Sequence, residues 1–427
     1  MKKTLALAIG VAILILPGQA FSAWTIGTPI VSYYRGPGLD PHSAQQYADG
    51  GFNLVWAETH KQLDYAQQFG LRAMWTGALD ATTISEVKTH PALYCYSVAD
   101  EPLPGDFAAL GATVASLRAL DPDHMSYINL APSTVGNSAL LDTYMTTVQP
   151  DLISWDFYQF RDYGDLKQYF AALTNARLAS QAYDVPFLNM VQSAAWGGAS
   201  RIPTGDELRF LNYTSLAYGA QGISYYVYFW YDHIGGFSEG DGTATALYDD
   251  VKLINPEFVA IAEEIQALKS IGGYHLGDLP PPYDLTDDDP PNPVRLPLGT
   301  SPFTLSPAVP DTVYVELDPV EGMLLGLFDS ASDQVADATY ALVVNLDYTS
   351  GTTTTVIGPE NLEVFDASTG VWTPTGSNQA ALSLVAGGGK LVRLASAAPI
   401  PEPSTILLLA CGLGFLVGRP MRLTFRC

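Results

Sequence analysis

Cysteine is nearly absent from this chain. There are three in 427 residues, and Cys411 and Cys427 lie in a terminal tail, which leaves Cys95 alone in the body. A single thiol makes no internal bridge, so no disulfide is expected, and the apolar run around Cys95 marks it as a packing residue. Positive charge is also scarce. Lys and Arg number 20 against 44 Asp and Glu, a formal net charge of −24. Without a basic stripe to neutralise phosphates, nucleic acid and anionic membrane surfaces are excluded as partners. The chain also lacks a glycine-rich nucleotide loop, a metal-ligand spacing and a Ser-His-Asp arrangement, so no cofactor and no metal are expected. Aromatic surface is what it has in quantity: 24 Tyr, 17 Phe and 7 Trp in a chain that is 48% hydrophobic. That is too apolar for a disordered chain, and it leaves rings to line a groove in which sugars stack.

Both ends look like address labels. Lys2 and Lys3 precede an apolar stretch from Leu5 to Leu16, followed by Pro17-Gly18 and Ala20-Phe21-Ser22. This is the layout of a signal peptide over residues 1–23, and it makes the chain an exported client of signal peptidase. Residues 398–427 carry Pro401-Glu402-Pro403, an apolar run from Ile406 to Gly418, then Arg419, Arg422 and Arg426. The run is shorter than the roughly 20 residues of a comfortable membrane span. The order of parts resembles the PEP-CTERM sorting tail of Gram-negative, exopolysaccharide-making bacteria, which an exosortase recognises and cuts. Pro420 interrupts the basic cluster, and a simple C-terminal anchor is the alternative. Either reading puts the protein at or beyond the inner membrane: periplasm, cell surface or extracellular matrix.

Between the labels, short apolar or aromatic segments alternate with helix-like ones. Strands are expected at Ile30 to Arg35, Phe52 to Glu58, Leu71 to Thr76, Leu93 to Val98, Met125 to Asn129, Leu152 to Phe157, Phe187 to Val191 and Ile223 to Phe229. Helices are expected at Phe107 to Leu120, Leu166 to Tyr183, Glu207 to Tyr218 (opened by the capping-box pattern Thr204-Gly205-Asp206-Glu207) and Pro256 to Lys269. Eight alternations point to an α/β fold, a (β/α)8 TIM barrel over residues 24–276. Residues 277–301, with Pro280-Pro281-Pro282 and Asp287-Asp288-Asp289, read as a solvated linker, since adjacent carboxylates lack the spaced pattern of a calcium loop. Over residues 302–397, segments at Thr312 to Leu317, Met323 to Phe328, Tyr340 to Asp347, Thr352 to Ile357, Leu362 to Phe365, Ala381 to Val385 and Lys390 to Leu394 suggest a small antiparallel β-sandwich.

Three motifs carry a family resemblance. His90-Pro91-Ala92-Leu93 through Ala99-Asp100-Glu101-Pro102 resembles the fourth strand of clan A glycoside hydrolases, Gly219-Ala220-Gln221-Gly222-Ile223 resembles the eighth-strand approach of the β-galactosidase-like members, and the closing sandwich is similar to the domain that ends many of them. The resemblance implies a glycosidase with Glu101 as its acid/base glutamate. Asp100 stands where the clan has Asn, and Gln192 follows the seventh strand where the clan has a nucleophilic Glu. Glycoside hydrolysis needs a second carboxyl group. Asp156, ending the sixth strand, is the first choice for it and Glu58, ending the second, the alternative. Asp100 is expected to point elsewhere if its strand stays extended. Arg35, Trp75, Tyr158, Gln192, Trp196, Tyr228 and Trp230 fall at or just past strand ends, where barrels bind substrate; with Asp100 and Glu58 they are the expected substrate contacts. His233 reads as a loop residue. An exported glycoside hydrolase with a carbohydrate substrate is the first expectation, and a catalytically silent glycan-binding surface protein the second.

Overall fold

A computed structural model describes residues 29–283, 293–315 and 319–397. The expected signal peptide, the Asp287-Asp288-Asp289 stretch and the sorting tail lie outside these residues. Eight parallel strands, β1 (Ile30–Tyr34), β2 (Leu54–Ala57), β3 (Arg72–Trp75), β4 (Leu93–Asp100), β5 (Met125–Leu130), β6 (Ile153–Asp156), β7 (Phe187–Gln192) and β8 (Gly222–Tyr226), hydrogen-bond in the order β1-β8-β7-β6-β5-β4-β3-β2. This is the (β/α)8 barrel expected. The remaining seam, between β1 and β2, is closed by Asn53. Its Oδ1 accepts from the Val31 N–H and its Nδ2 donates to the Pro29 carbonyl, both at 2.9 Å. The Ser32 hydroxyl donates to the Leu54 carbonyl at 3.0 Å.

Side chains alternate along each strand between the lumen and the helical layer. Ile30, Leu54, Met74, Cys95, Met125, Tyr127, Leu152 and Leu188 form one buried cluster drawn from around the ring and so fill the lower lumen. Cys95 is buried there as expected, and burial pushes its thiol up to about 12. Helices begin where polar side chains satisfy the first backbone N–H groups, at Asp40, Thr59, Asp80, Asn137 and Thr204. The Thr204/Glu207 capping box forms in both directions, with Thr204 N–H donating to Glu207 at 2.7 Å and Glu207 N–H donating to Thr204 at 3.2 Å. The last barrel helix differs from expectation. It spans Ala246–Ile265 and carries Pro256 in its interior. Lys269, expected at its end, instead opens a strand of the second sheet.

That sheet has seven strands, in the order Val294–Arg295, Lys269–Gly277, Gly322–Asp329, Tyr340–Asn345, Gly389–Leu394, Leu362–Asp366 and Val371–Pro374. A three-stranded sheet of Thr304–Ser306, Thr352–Ile357 and Gln379–Leu384 faces it. Leu325, Leu327, Ala341 and Val343 point into the core between the sheets. Leu324, Phe328, Leu342 and Val344, alternating with them, join the barrel's own core. The larger sheet therefore buries both faces, and it lies so close to the barrel helix Gly205–Ala217 that a Cβ on Gly326 would stand 2.3 Å from the Ala217 carbonyl oxygen. No strand forms over Thr312–Val315, where Thr312 makes only an isolated bridge to Asp278. Four strands of these two sheets, Val294–Arg295, Lys269–Gly277, Thr304–Ser306 and Val371–Pro374, were not expected.

Candidate active site

The end of β4 sets the site. The pairing of β4 with β5 slips between Ser97 and Ala99, so Val98 has no partner and the strand bulges there. A bulge shifts the in-out alternation by one residue, which turns Asp100 into the lumen. The strand does not stay extended, and Asp100 does not point elsewhere as expected. Its Oδ2 accepts from the Tyr34 hydroxyl at 2.8 Å and its Oδ1 from Asn129 Nδ2 at 3.1 Å. Glu101 follows in the left-handed region at φ +46°, with its N–H bound to the Asn129 carbonyl at 2.8 Å and its side chain exposed at the mouth. A non-glycine residue held in this region costs of order 1 kcal/mol or more, and such residues cluster at functional sites. Glu101 does not cap the helical turn that follows it. The N–H of Leu103 is bound instead by Asp106, at 3.0 Å.

Asp156 ends β6 with only 3% of its surface exposed. Asn129 Nδ2, which holds Asp100, also donates to Asp156 Oδ1 at 2.9 Å, so one amide bridges two carboxyl groups. Ser154 donates to Asn129 Oδ1 at 3.2 Å and fixes the amide's orientation. The Asp156 carboxyl is pushed up to about 7. Burial contributes most, the charge of Glu101 next and that of Asp100 less, while hydrogen bonds from Asn129 and Tyr158 oppose the rise. Three carboxyl groups thus share one mouth. Among the described residues, neither Asp100, Glu101 nor Asp156 is in an ion pair with a cation. Around them runs an aromatic rim. Tyr158, Trp196 and Tyr226 meet pairwise with ring centroids 4.8 to 4.9 Å apart. His233, in a loop as expected, stacks on Trp196 at 5.4 Å and sits 3.1 Å from the Tyr226 hydroxyl, which brings it to the rim. Tyr34 continues the rim to Trp56 at 5.1 Å, and the Arg35 guanidinium lies 4.3 Å above Trp230.

Glu101, Asp156, Asp100, Tyr158 and Trp196 are therefore brought together. Arg35, Trp230 and Glu58 line an adjoining open cleft of about 380 Å³. Three expected contacts are not in the site. Gln192 is fully buried, and its amide is occupied by the backbone of Phe160, Ala194 and Arg201. Tyr228 is fully buried among Tyr33, Tyr47, Phe52 and Phe237. Trp75 is 4% exposed and donates to the Ala78 carbonyl at 3.0 Å, which ties down its own loop. Each has the aromatic or amide character of a sugar contact, but chain position alone does not say which way a residue past a strand end turns. Tyr34, Asn129 and Tyr226 were missed. All three end, or nearly end, barrel strands with lumen-facing alternation, and that was the available signal. Among the described residues no group of three or more His, Cys, Asp or Glu could hold a metal ion, and no helix is long and apolar enough to cross a membrane.

Residues 107–267 match the family model Glyco_hydro_42, described as beta-galactosidase. The match includes Asp156 and begins after Glu101. No curated protein sequence matches the chain. A solved structure described as a glycoside hydrolase superposes with a TM-score of 0.50 at 10% identity, covering 87% of this chain and 94% of that one. Alpha-galactosidase I from Mortierella vinacea gives 0.46 at 12%, covering 88% and 98%. The endo-beta-1,3-glucanase from Sorangium cellulosum gives 0.37 at 14%, covering 53% and 98%. The first of these likenesses, at 10% identity, describes the fold alone.

Proposed function

We propose that this protein is a glycoside hydrolase that cleaves O-glycosidic bonds of an oligo- or polysaccharide at the mouth of its barrel. What carries the reading is a buried Asp156, its carboxyl pushed up to about 7, beside the charge of an exposed Glu101. Hydrolysis requires one carboxyl group that gives a proton to the leaving oxygen and one that acts as carboxylate on the anomeric carbon or on water. The expected roles are exchanged. Glu101 was assigned the proton, but Asp156 is the group whose surroundings keep it in acid form, so Asp156 is assigned as donor and Glu101 as carboxylate. Asn129 bridges Asp100 to Asp156 and fixes the two carboxyl groups relative to one another. The rim of Tyr158, Trp196 and Tyr226 gives sugar rings apolar faces beside polar edges. The matched family model and the barrel likeness support the same class of chemistry.

A screen of the purified chain on aryl glycosides and extracted exopolysaccharide, beside Glu101→Gln and Asp156→Asn, tests the reading. Turnover that falls by about 10²-fold or more in either variant supports it. Turnover that survives both substitutions refutes the assignment. The second reading, a catalytically silent glycan-binding protein, is favoured by Gln192, which leaves β7 without a carboxylate. Sugar binding without turnover in the unaltered chain would establish it. We also propose that the protein acts outside the inner membrane after processing by signal peptidase and exosortase. The two terminal segments support this, and recovery of the mature chain in the cytoplasm on fractionation would contradict it.

A further inference from the structure

We propose that the cleft adjoining the three carboxyl groups binds the carboxylate of a uronic acid residue, with Arg35 as its ligand, so that the substrate is an acidic polysaccharide. This rests on the glycan-active reading and names the substrate class of the same site. Arg35 directly follows β1 at φ +52°, and its carbonyl oxygen accepts from the N–H groups of Tyr228 at 3.1 Å and Phe229 at 3.4 Å, which fixes the backbone. Its guanidinium carbon lies 4.3 Å from the Trp230 ring centre and 5.6 Å from that of Tyr34. Stacking engages the faces of a guanidinium, and one edge donor meets Tyr34, which leaves further edge donors for a planar, two-oxygen partner.

In a chain with 20 basic and 44 acidic residues, an arginine without an acid partner calls for a reason. Arg118, Arg201, Arg209, Arg295 and Arg393 all pair with carboxylates. Arg35, like Arg161 and Arg177, is in no ion pair among the described residues, but it alone of these three lines the cleft, in whose wall Glu58 also lies. Opposite charges that share a cleft without touching leave room between them for a ligand. Tyr34 ties the cleft to the chemistry, because its hydroxyl donates to Asp100 at 2.8 Å while its ring neighbours Arg35. The sugar held by Arg35 then adjoins the one that reacts. The net charge of −24 repels a polyanion at a distance. Salt screens that repulsion beyond about 8 Å, whereas a forked guanidinium–carboxylate contact acts at hydrogen-bond range.

The test uses the full chain carrying Glu101→Gln, so that polymers are bound and not cut. Calorimetry measures affinity for a panel of uronate-containing polysaccharides, for the same polymers after chemical reduction of their carboxyl groups, and for sulfated polymers. The expected result is at least one uronate polymer bound about tenfold or more tighter than its reduced form, about 1.4 kcal/mol. Arg35→Met should bring that ratio towards unity, and Glu58→Gln should widen it by removing a competing negative charge. Opposite signs from two substitutions in one cleft are not the outcome of a folding defect. Equal affinity for acidic and reduced forms, or a ratio that neither substitution moves, overturns the proposal and leaves the glycan reading standing. A preference for sulfated polymers alone overturns the uronate assignment. Failure to bind any polymer in either form overturns both.

Discussion

Two clusters of carboxyl groups in this molecule are treated in opposite ways. At the seam between barrel and sandwich, Asp165 and Glu207 are both clamped by Arg201, whose Nη1 meets Glu207 at 2.8 Å and whose Nη2 reaches Glu207 at 2.5 Å and Asp165 at 3.4 Å. Tyr348, from the sandwich, donates to Asp165. At the mouth, Asp100, Glu101 and Asp156 face one another with hydrogen bonds but no cation. Buried carboxylates left without a counter-charge cost stability, and the molecule avoids that cost where the carboxyls hold domains together. It accepts the cost at the mouth for Asp156, which alone of the three carboxyls there is buried. The contrast separates acids that stabilise from acids positioned to exchange a proton.

Breaking the mouth should have the largest effect. Asp156→Asn is expected to lower turnover by about 10²- to 10⁴-fold. With Asp156 as the proposed donor, which must be protonated to act, the pH–rate profile of the unaltered chain should fall as pH rises past about 7. Breaking the seam should cost stability instead. Arg201→Met leaves two mostly buried carboxylates unpaired and should lower unfolding free energy by about 3 kcal/mol or more in denaturant titrations, with sugar binding per folded molecule retained.

The pH dependence of stability sharpens the contrast further. Asp156 titrates near 7 when folded against 3.8 as a free side chain. Between those values the folded state holds the extra proton, so this group's contribution to stability falls as pH rises from about 4 to 7. Asp156→Asn should flatten that slope and leave the variant the more stable above pH 7, by on the order of a few kcal/mol. His275, at the seam, behaves in the opposite sense. Burial and the Arg295 charge push it down to about 3 from 6.5, so the unfolded chain binds the proton first and stability falls as pH drops from about 6.5 towards 3. Thermal melts of His275→Gln should lose that acid limb while keeping the alkaline one. The smallest effect expected is at Thr204→Ala, which removes one helix cap and should cost about 1 kcal/mol.

The barrel was legible because its strands are apolar on both faces and punctuated at regular intervals, and all eight occur within a few residues of where that pattern puts them. The sandwich was read less well. Lys269–Gly277 carries three glycines and follows a helix without a break, so its strand character comes from pairing with Gly322–Asp329 and not from local propensity. Of the site, Glu101 and Asp156 were visible as acids at strand ends. The bulge at Val98, which turns Asp100 inward, was not, since a one-residue slip depends on how β4 meets β5. Nor was the burial that shifts the proton to Asp156, because it depends on residues from several strands converging on one carboxyl.

The central claim is that Asp156, beside Glu101, keeps its proton far above the ordinary carboxyl range, up to about pH 7. Infrared difference spectroscopy of the unaltered chain against Asp156→Asn, followed from pH 4 to pH 9, reads the carboxylic-acid carbonyl band directly. The account predicts a band that is absent from the variant and that disappears in the unaltered chain with a midpoint near 7. Loss of every such band below about pH 5, where ordinary carboxyl groups have already ionised, would contradict it.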